Sequence, residues 1–187
     1  MINRALFLLF IAVSVLFVWC GSSRAQTLDL TDMVIDNEEG AVRLRFGIEV
    51  DDLMPLSVDL EEGWILELTC RAELIGKRTF FWDKSLGEQE FKSRVDANQL
   101  TGEFMVRFAE SSRNIQGKNL QRVLEKGWEE IDLTLAPWEK LKKGEEYDLL
   151  LEIRLERVDV PVWLKRSLFF WSWEAAPTEV FVLNFRY

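Results

Sequence analysis

The chain of 187 residues contains no histidine. That absence excludes Ser-His-Asp and Cys-His nucleophilic catalysis, imidazole acid–base chemistry, and most zinc and non-haem iron centres. Cysteine is nearly missing as well, being confined to Cys20 and Cys70. Two thiols cannot build a cysteine zinc site or an iron–sulfur cluster. Neither common spacing of a glycine-rich phosphate cradle occurs, so nucleotide binding has no support. No catalytic residue, cofactor or metal is therefore expected. Positive charge is also scarce, with 23 lysines and arginines against 32 acids and a formal charge of −9. Such a chain repels phosphate backbones, so nucleic acid is excluded as a partner, and an anionic lipid surface is disfavoured on the same ground.

Long apolar runs are absent except at the start. Arg4 precedes an uncharged stretch from Ala5 to Cys20, apolar but for Ser14, followed by Ser23-Arg24-Ala25 with small residues where a signal peptidase reads. We expect a signal peptide over residues 1–25, a single β-sandwich domain over 26–187, and a periplasmic location. Losing Arg4 and Arg24 leaves 21 bases against 32 acids, a charge of −11. The alternative is that the run from Ala5 to Ser23 stays uncleaved and anchors the chain in the inner membrane. Lipidation at Cys20 is poorly served by the bulky Trp19 before it. Once Cys20 is removed, Cys70 has no thiol to pair with. It falls on the same alternating side of "WILELTCRAELIG" as Trp64, Leu66, Leu68 and Leu74, which predicts a buried, inert thiol.

What is abundant is alternation. "AVRLRFGIEV" sets Val42, Leu44, Phe46, Ile48 and Val50 on one face and Arg43, Arg45 and Glu49 on the other. "EEYDLLLEIRLER" repeats the device with Tyr147, Leu149, Leu151, Ile153 and Leu155 against Asp148, Glu152, Arg154 and Glu156. One apolar and one charged face per strand specify antiparallel sheets with a single wet side. "TLDLTDMVID", "EFKSRVDAN", "GEFMVRFAE", "EIDLTLA" and "EVFVLNFRY" read as further strands. In the last, apolar residues on both faces predict cover on both sides. Short helices are expected in "DDLMPLSVDLEEG", stopped by Gly63, in "KNLQRVLEKGW", stopped by Gly127, and in "DVPVWLKRSLFFW". The expected fold is mainly β: a two-layer antiparallel, immunoglobulin-like sandwich of about eight strands with two or three short helices.

Two further features could carry chemistry. The acid doublets Asp51-Asp52, Glu61-Glu62, Glu129-Glu130 and Glu145-Glu146 fall where elements begin or end, so solvated termini explain them. In "KRTFFWDKSLGEQEF", Phe80, Phe81 and Trp82 precede a turn opened by Asp83. Such a hairpin end could stack on a sugar or peptide, or its rings could cap the core.

The order of these features resembles a known family. A short helix and glycine lead into "LSVDLEEGWILELTCRAEL", then "FFWD", two strands, "NLQRVLEKGW", and finally "DVPVWLKRSLFFWSW" with an aromatic strand. This resembles a bacterial family of small exported proteins classed as a domain of unknown function, some encoded beside a nitrogen-regulation sensor kinase. The resemblance spans Leu28 to Tyr187. It implies a β-rich fold and supplies no catalytic residues to carry over.

For function, the pattern points to a non-catalytic envelope protein that binds a protein partner. The candidate patch is Trp163, Phe169, Phe170, Trp171 and Trp173, since a short helix cannot turn so many rings inward. A second expectation is contact with a membrane surface through the same segment, where Lys165 and Arg166 sit among the rings. A third is a glycan-binding or glycan-cleaving module that stacks sugars on Trp82 or Trp171.

Overall fold

A computed structural model describes residues 28–78, 82–158 and 174–187, and the architecture below is that of these residues. Strands β1 (Leu28–Glu38) and β2 (Ala41–Val50) form a hairpin, and α1 (Met54–Glu61) follows. A meander comes next: β3 (Ile65–Gly76), β4 (Lys84–Asn98), β5 (Glu103–Phe108) and β6 (Asn114–Gly117). The chain then forms α2 (Leu120–Trp128), β7 (Ile131–Pro137), a 3-10 turn at Trp138–Lys140, β8 (Glu146–Val158) and β9 (Glu174–Arg186).

Nine strands thus make two sheets, one ordered β1-β2-β7 and the other β6-β5-β4-β3-β8-β9. Every pairing is antiparallel. The two-layer sandwich matches the expectation from alternation. Its finer immunoglobulin-like label does not carry over, because three and six strands differ from the four-and-three sheets of an immunoglobulin constant domain.

The core lies between the sheets. β2 contributes Val42, Leu44, Phe46 and Ile48, and β7 adds Ile131, Leu133 and Leu135. Opposite them stand Leu66, Leu68, Cys70, Ala72 and Leu74 of β3, with Tyr147, Leu149, Leu151, Ile153 and Leu155 of β8. Each fully buried Leu or Ile is worth about 1.5–3 kcal/mol relative to exposure. β4 and β7 press together at Gly87, where an added Cβ would stand 1.8 Å from the carbonyl oxygen of Leu135. No side chain fits that seam.

Three strands cannot cover six, so the helices fill part of the gap. α2 buries Leu120, Val123, Leu124 and Trp128, and Trp128 Nε1 donates to Ser93 Oγ at 2.9 Å inside the core. Asn119 caps this helix by accepting from the Arg122 amide at 2.9 Å. Gly127 is not the stop that the sequence suggested, since the helix runs through it to Trp128. Its lack of a side chain lets α2 approach β5, where a Cβ would lie 3.2 Å from Val106.

α1 buries Leu56, Asp59 and Leu60 and ends before Gly63, whose φ of +90° completes the stop. Asp59 receives both arms of Arg157, at 2.8 and 3.0 Å, which ties α1 to the end of β8. The third expected helix, in "DVPVWLKRSLFFW", lies outside the described residues.

β9 corrects a second expectation. Rather than covered on both sides, it is the outermost strand of its sheet, with Val180 and Val182 54% and 56% exposed. The physical reason is parity: Val180 and Val182 pair with Glu152 and Leu150 on the outer face of the sheet, while Phe181 pairs with the buried Leu151 on the core face. Ala176 is buried, and Phe181 and Phe185 pack partly against the core.

Candidate functional site

The five residues of the expected aromatic patch, Trp163, Phe169, Phe170, Trp171 and Trp173, lie outside the described residues. So do Phe80 and Phe81. Trp82 is described and is 95% exposed, so this ring of the "FFW" run does not cap the core.

Cys70 is fully buried in the centre of β3, and burial alone pushes its thiol above the ordinary range, which keeps it protonated. The acid doublets sit at element ends and are exposed. Among the described residues, no group of three or more Cys, Asp or Glu is placed to hold a metal ion.

The sandwich instead separates charge along its length. At the end where β3 stops and β8 starts, a cleft of about 1100 Å³ is lined by Lys77, Arg78, Lys84, Lys140, Lys142 and Arg186, against the carboxylates Glu139, Glu145 and Glu146. These cations come from four separate segments. The residues after β3 supply Lys77 and Arg78, the start of β4 supplies Lys84, the stretch after β7 supplies Lys140 and Lys142, and the end of β9 supplies Arg186.

Backbone and side-chain bonds hold the segments together. The Gly144 amide donates to the carbonyl of Tyr187, and the Tyr187 amide donates to Glu145 O at 3.2 Å. Trp138 Nε1 donates to the Tyr187 hydroxyl at 3.1 Å, with the two rings edge to face at 5.2 Å. The Lys142 amide donates to the buried Tyr147 hydroxyl at 2.7 Å. Lys140 Nζ donates to Leu86 O at 3.0 Å.

Within this cleft some charges are matched. Lys77 Nζ lies 2.5 Å from Asp148 and 3.3 Å from Asp83. Its hydrogen bonds to Asp148 and then Asp83 raise the Lys77 ammonium above its ordinary range. The bond from Lys77 holds Asp148 below the usual carboxylate range. Arg186 pairs with Glu146, and Lys142 lies 3.5 Å from Glu145. Arg78, Lys84 and Lys140 enter no ion pair among the described residues. Asp83 also ties the two arms of the hairpin by accepting from the Arg78 amide at 3.1 Å.

The opposite end is acidic. A cleft of about 520 Å³ beside the end of β2 and α2 is lined by Asp32, Glu49, Glu125 and Glu129, with no lining cation. Asp29 stands directly across from Glu49 in the β1–β2 ladder. Its carboxyl is held above the ordinary value, first by a hydrogen bond with Asp51 and then by that group's charge, with burial, Glu49 and Glu179 adding to the effect.

A third hollow of about 480 Å³ lies over the uncovered part of β4 to β6, floored by Phe91, Phe108 and Ile115. Arg113 sits 5.8 Å above the Phe108 ring there.

Sequence reasoning missed the charge separation because it summed the charges. The signals were present as "GKR" and "EKLKKG", two short basic runs in an acidic chain. What could not be read was that strand pairing brings them together with Lys84 and Arg186.

No curated protein and no solved structure matches the chain. The family described as Domain of unknown function (DUF4390) matches residues 25–184, most of the chain, and the protein belongs to that family.

Proposed function

We propose that this protein is a non-catalytic β-sandwich of the bacterial envelope that binds a protein partner, with the outer edge of β9 as the contact strand. The observation that carries the reading is the edge itself. β9 is 13 residues long and terminal in its sheet, and it exposes Val180, Val182, Leu183 and Tyr187. Long apolar edges invite an added strand, and soluble proteins normally guard them with charge, proline or bulges. Pro177 and the register shifts near Leu155 guard the first part of β9, which leaves Val180 to Leu183 unguarded. The export of the chain rests on its N-terminal apolar run, and the lack of catalysis rests on the missing histidine and the scarcity of thiols.

Placing a photo-crosslinking residue at Val182 tests the contact. A discrete envelope protein should be captured, and the capture should fall at least tenfold in a Val180→Asp, Val182→Lys variant. Phe170→Ala with Trp171→Ala tests the aromatic segment in parallel. Capture that survives the β9 changes and fails with the aromatic ones moves the contact to that segment.

A further inference from the structure

We infer that the partner of the β9 edge is a second copy of this chain, the two six-stranded sheets joining through antiparallel β9 strands about a two-fold axis at Leu183. The inference rests on the reading of β9 as a contact strand and names what that strand meets. Its starting point is the backbone. Tyr187 donates its amide to Glu145 O at 3.2 Å and accepts from the Gly144 amide, so both of its backbone groups turn toward β8. Successive residues of a strand turn opposite ways. The β8–β9 register is unbroken from Glu146 opposite Arg186 to Ile153 opposite Glu179. Phe185, Leu183 and Phe181 therefore bond to β8 as Tyr187 does. Arg186, Asn184, Val182 and Val180 direct their N–H and C=O groups outward, where β9 has no neighbouring strand among the described residues.

Parity then specifies the pairing. A two-fold axis perpendicular to the sheet keeps the core faces of both copies on one side, so facing residues share a face and the axis passes at a residue. With Leu183 on the axis, Val182 faces Asn184 of the second copy and Val180 faces its Arg186. All four outward residues of each chain are then used. On the core face Leu183, 37% exposed in the single chain, meets its own equivalent, and Phe181 meets Phe185. An axis at Val182 instead sets Glu179 against Phe185 and Arg186 against Thr178, where the β8–β9 register shifts.

The charges agree with the Leu183 axis. Within one chain Val180 stands beside Glu152 of β8, and Arg186 stands beside Glu146, with which it pairs. Across the join each Arg186 is set between its own Glu146 and, beyond Val180 of the second copy, that copy's Glu152. No two like charges face each other along the paired segment. The long edge of the smaller sheet is not equivalent, because β1 is interrupted between Thr31 and Val34, where Asp32 has a φ of +50°. Such a bulge breaks the ladder an added strand needs. An unrelated strand would find the same hydrogen bonds on β9 but not this matching of side chains. Self-complementarity selects the second copy.

The test is oxidative cross-linking of the full chain in a Cys20→Ser background, which reads the register directly. Facing residues of a non-hydrogen-bonded pair have Cα atoms about 4.5 Å apart, within disulfide reach. Leu183→Cys should therefore form a disulfide-linked dimer at least tenfold faster than Val180→Cys or Arg186→Cys alone, whose like thiols stand roughly 20 Å apart across the axis. Mixing those two variants should restore the fast rate, in a mixed dimer. Val182→Pro removes only an outward N–H, so it should leave the melting of the single chain unchanged and slow the Leu183→Cys dimer at least tenfold. Equal rates at the three cysteine positions would overturn the inference, because association through the N-terminal apolar run carries no β9 register. The photo-crosslink at Val182 separates this inference from the reading beneath it. A foreign protein captured there, with no product of twice the chain mass, overturns the second copy and keeps β9 as the contact. Capture of nothing removes the β9 reading and the second copy with it.

Discussion

The two ends of this sandwich are built on opposite plans. The basic end is held by bonds between loops and the last strand: Lys142 to Tyr147, Trp138 to Tyr187, Gly144 to the Tyr187 carbonyl. Its cations have nearby carboxylates or open water, and its surface is exposed. The acidic end is closed by two helices that bury Leu56, Leu60, Leu124 and Trp128, and its one deep charge pair joins Asp59 to Arg157. Asp32, Glu49, Glu125 and Glu129 line its cleft with no lining cation. One end is thus tied by hydrogen bonds and available for contact, while the other is packed shut and strained by like charge.

If that contrast holds, damage to the packed end costs most. Arg157→Met should lower stability by about 3 kcal/mol, since it leaves Asp59, 8% exposed, without its bidentate partner. Urea unfolding measures the loss, and adding Asp59→Asn should restore much of it. A loss under 1 kcal/mol would put the two ends on the same footing.

At the basic end the corresponding change is smaller. Tyr147→Phe removes the acceptor for the Lys142 amide and should cost about 1 kcal/mol, with local loosening of residues 140–145 in hydrogen exchange.

The smallest effect is one of sign. The folded chain holds the Asp29 proton more tightly than an unfolded chain, whose value is near 3.8, so the acidic end gains stability as pH falls through the raised folded value. Asp148 is held below 3.8, so its contribution is complete above 3.8 and is lost as pH drops through the lowered folded value. Lys77, raised above 10.5, contributes fully below 10.5 and loses its part as pH climbs through the folded value. Between pH 7 and pH 4, protection of the Leu28–Leu30 amides should rise, after correction for intrinsic exchange, while that of Gly76 and Lys77 stays level. Parallel changes at both ends would remove the electrostatic half of the contrast.

Much of this architecture was legible in sequence because alternation is a local property. The apolar faces of β2 and β8 could be counted directly, and they became the core. Cys70 was placed correctly by its parity with Leu66 and Leu68. What failed depended on neighbours that no local pattern encodes. Gly127 looked like a helix stop because its role, admitting Val106 beside the helix, belongs to a strand over twenty positions away. β9 looked doubly covered because two apolar faces are the same letters whether a second sheet reaches them or not. The basic cleft was hidden for a similar reason, since four short segments that meet in space average to an acidic composition.

Cys70 has a practical consequence. Its sulfur is sealed at the centre of β3 and kept protonated, so an alkylating reagent can reach it only in molecules whose larger sheet has come apart. Peptide mapping separates its adduct from any at Cys20. The speed of modification then counts openings of the sheet in an otherwise native population, a clock for rare unfolding set into the chain without a label. Each substitution named above would register on it as a change of rate.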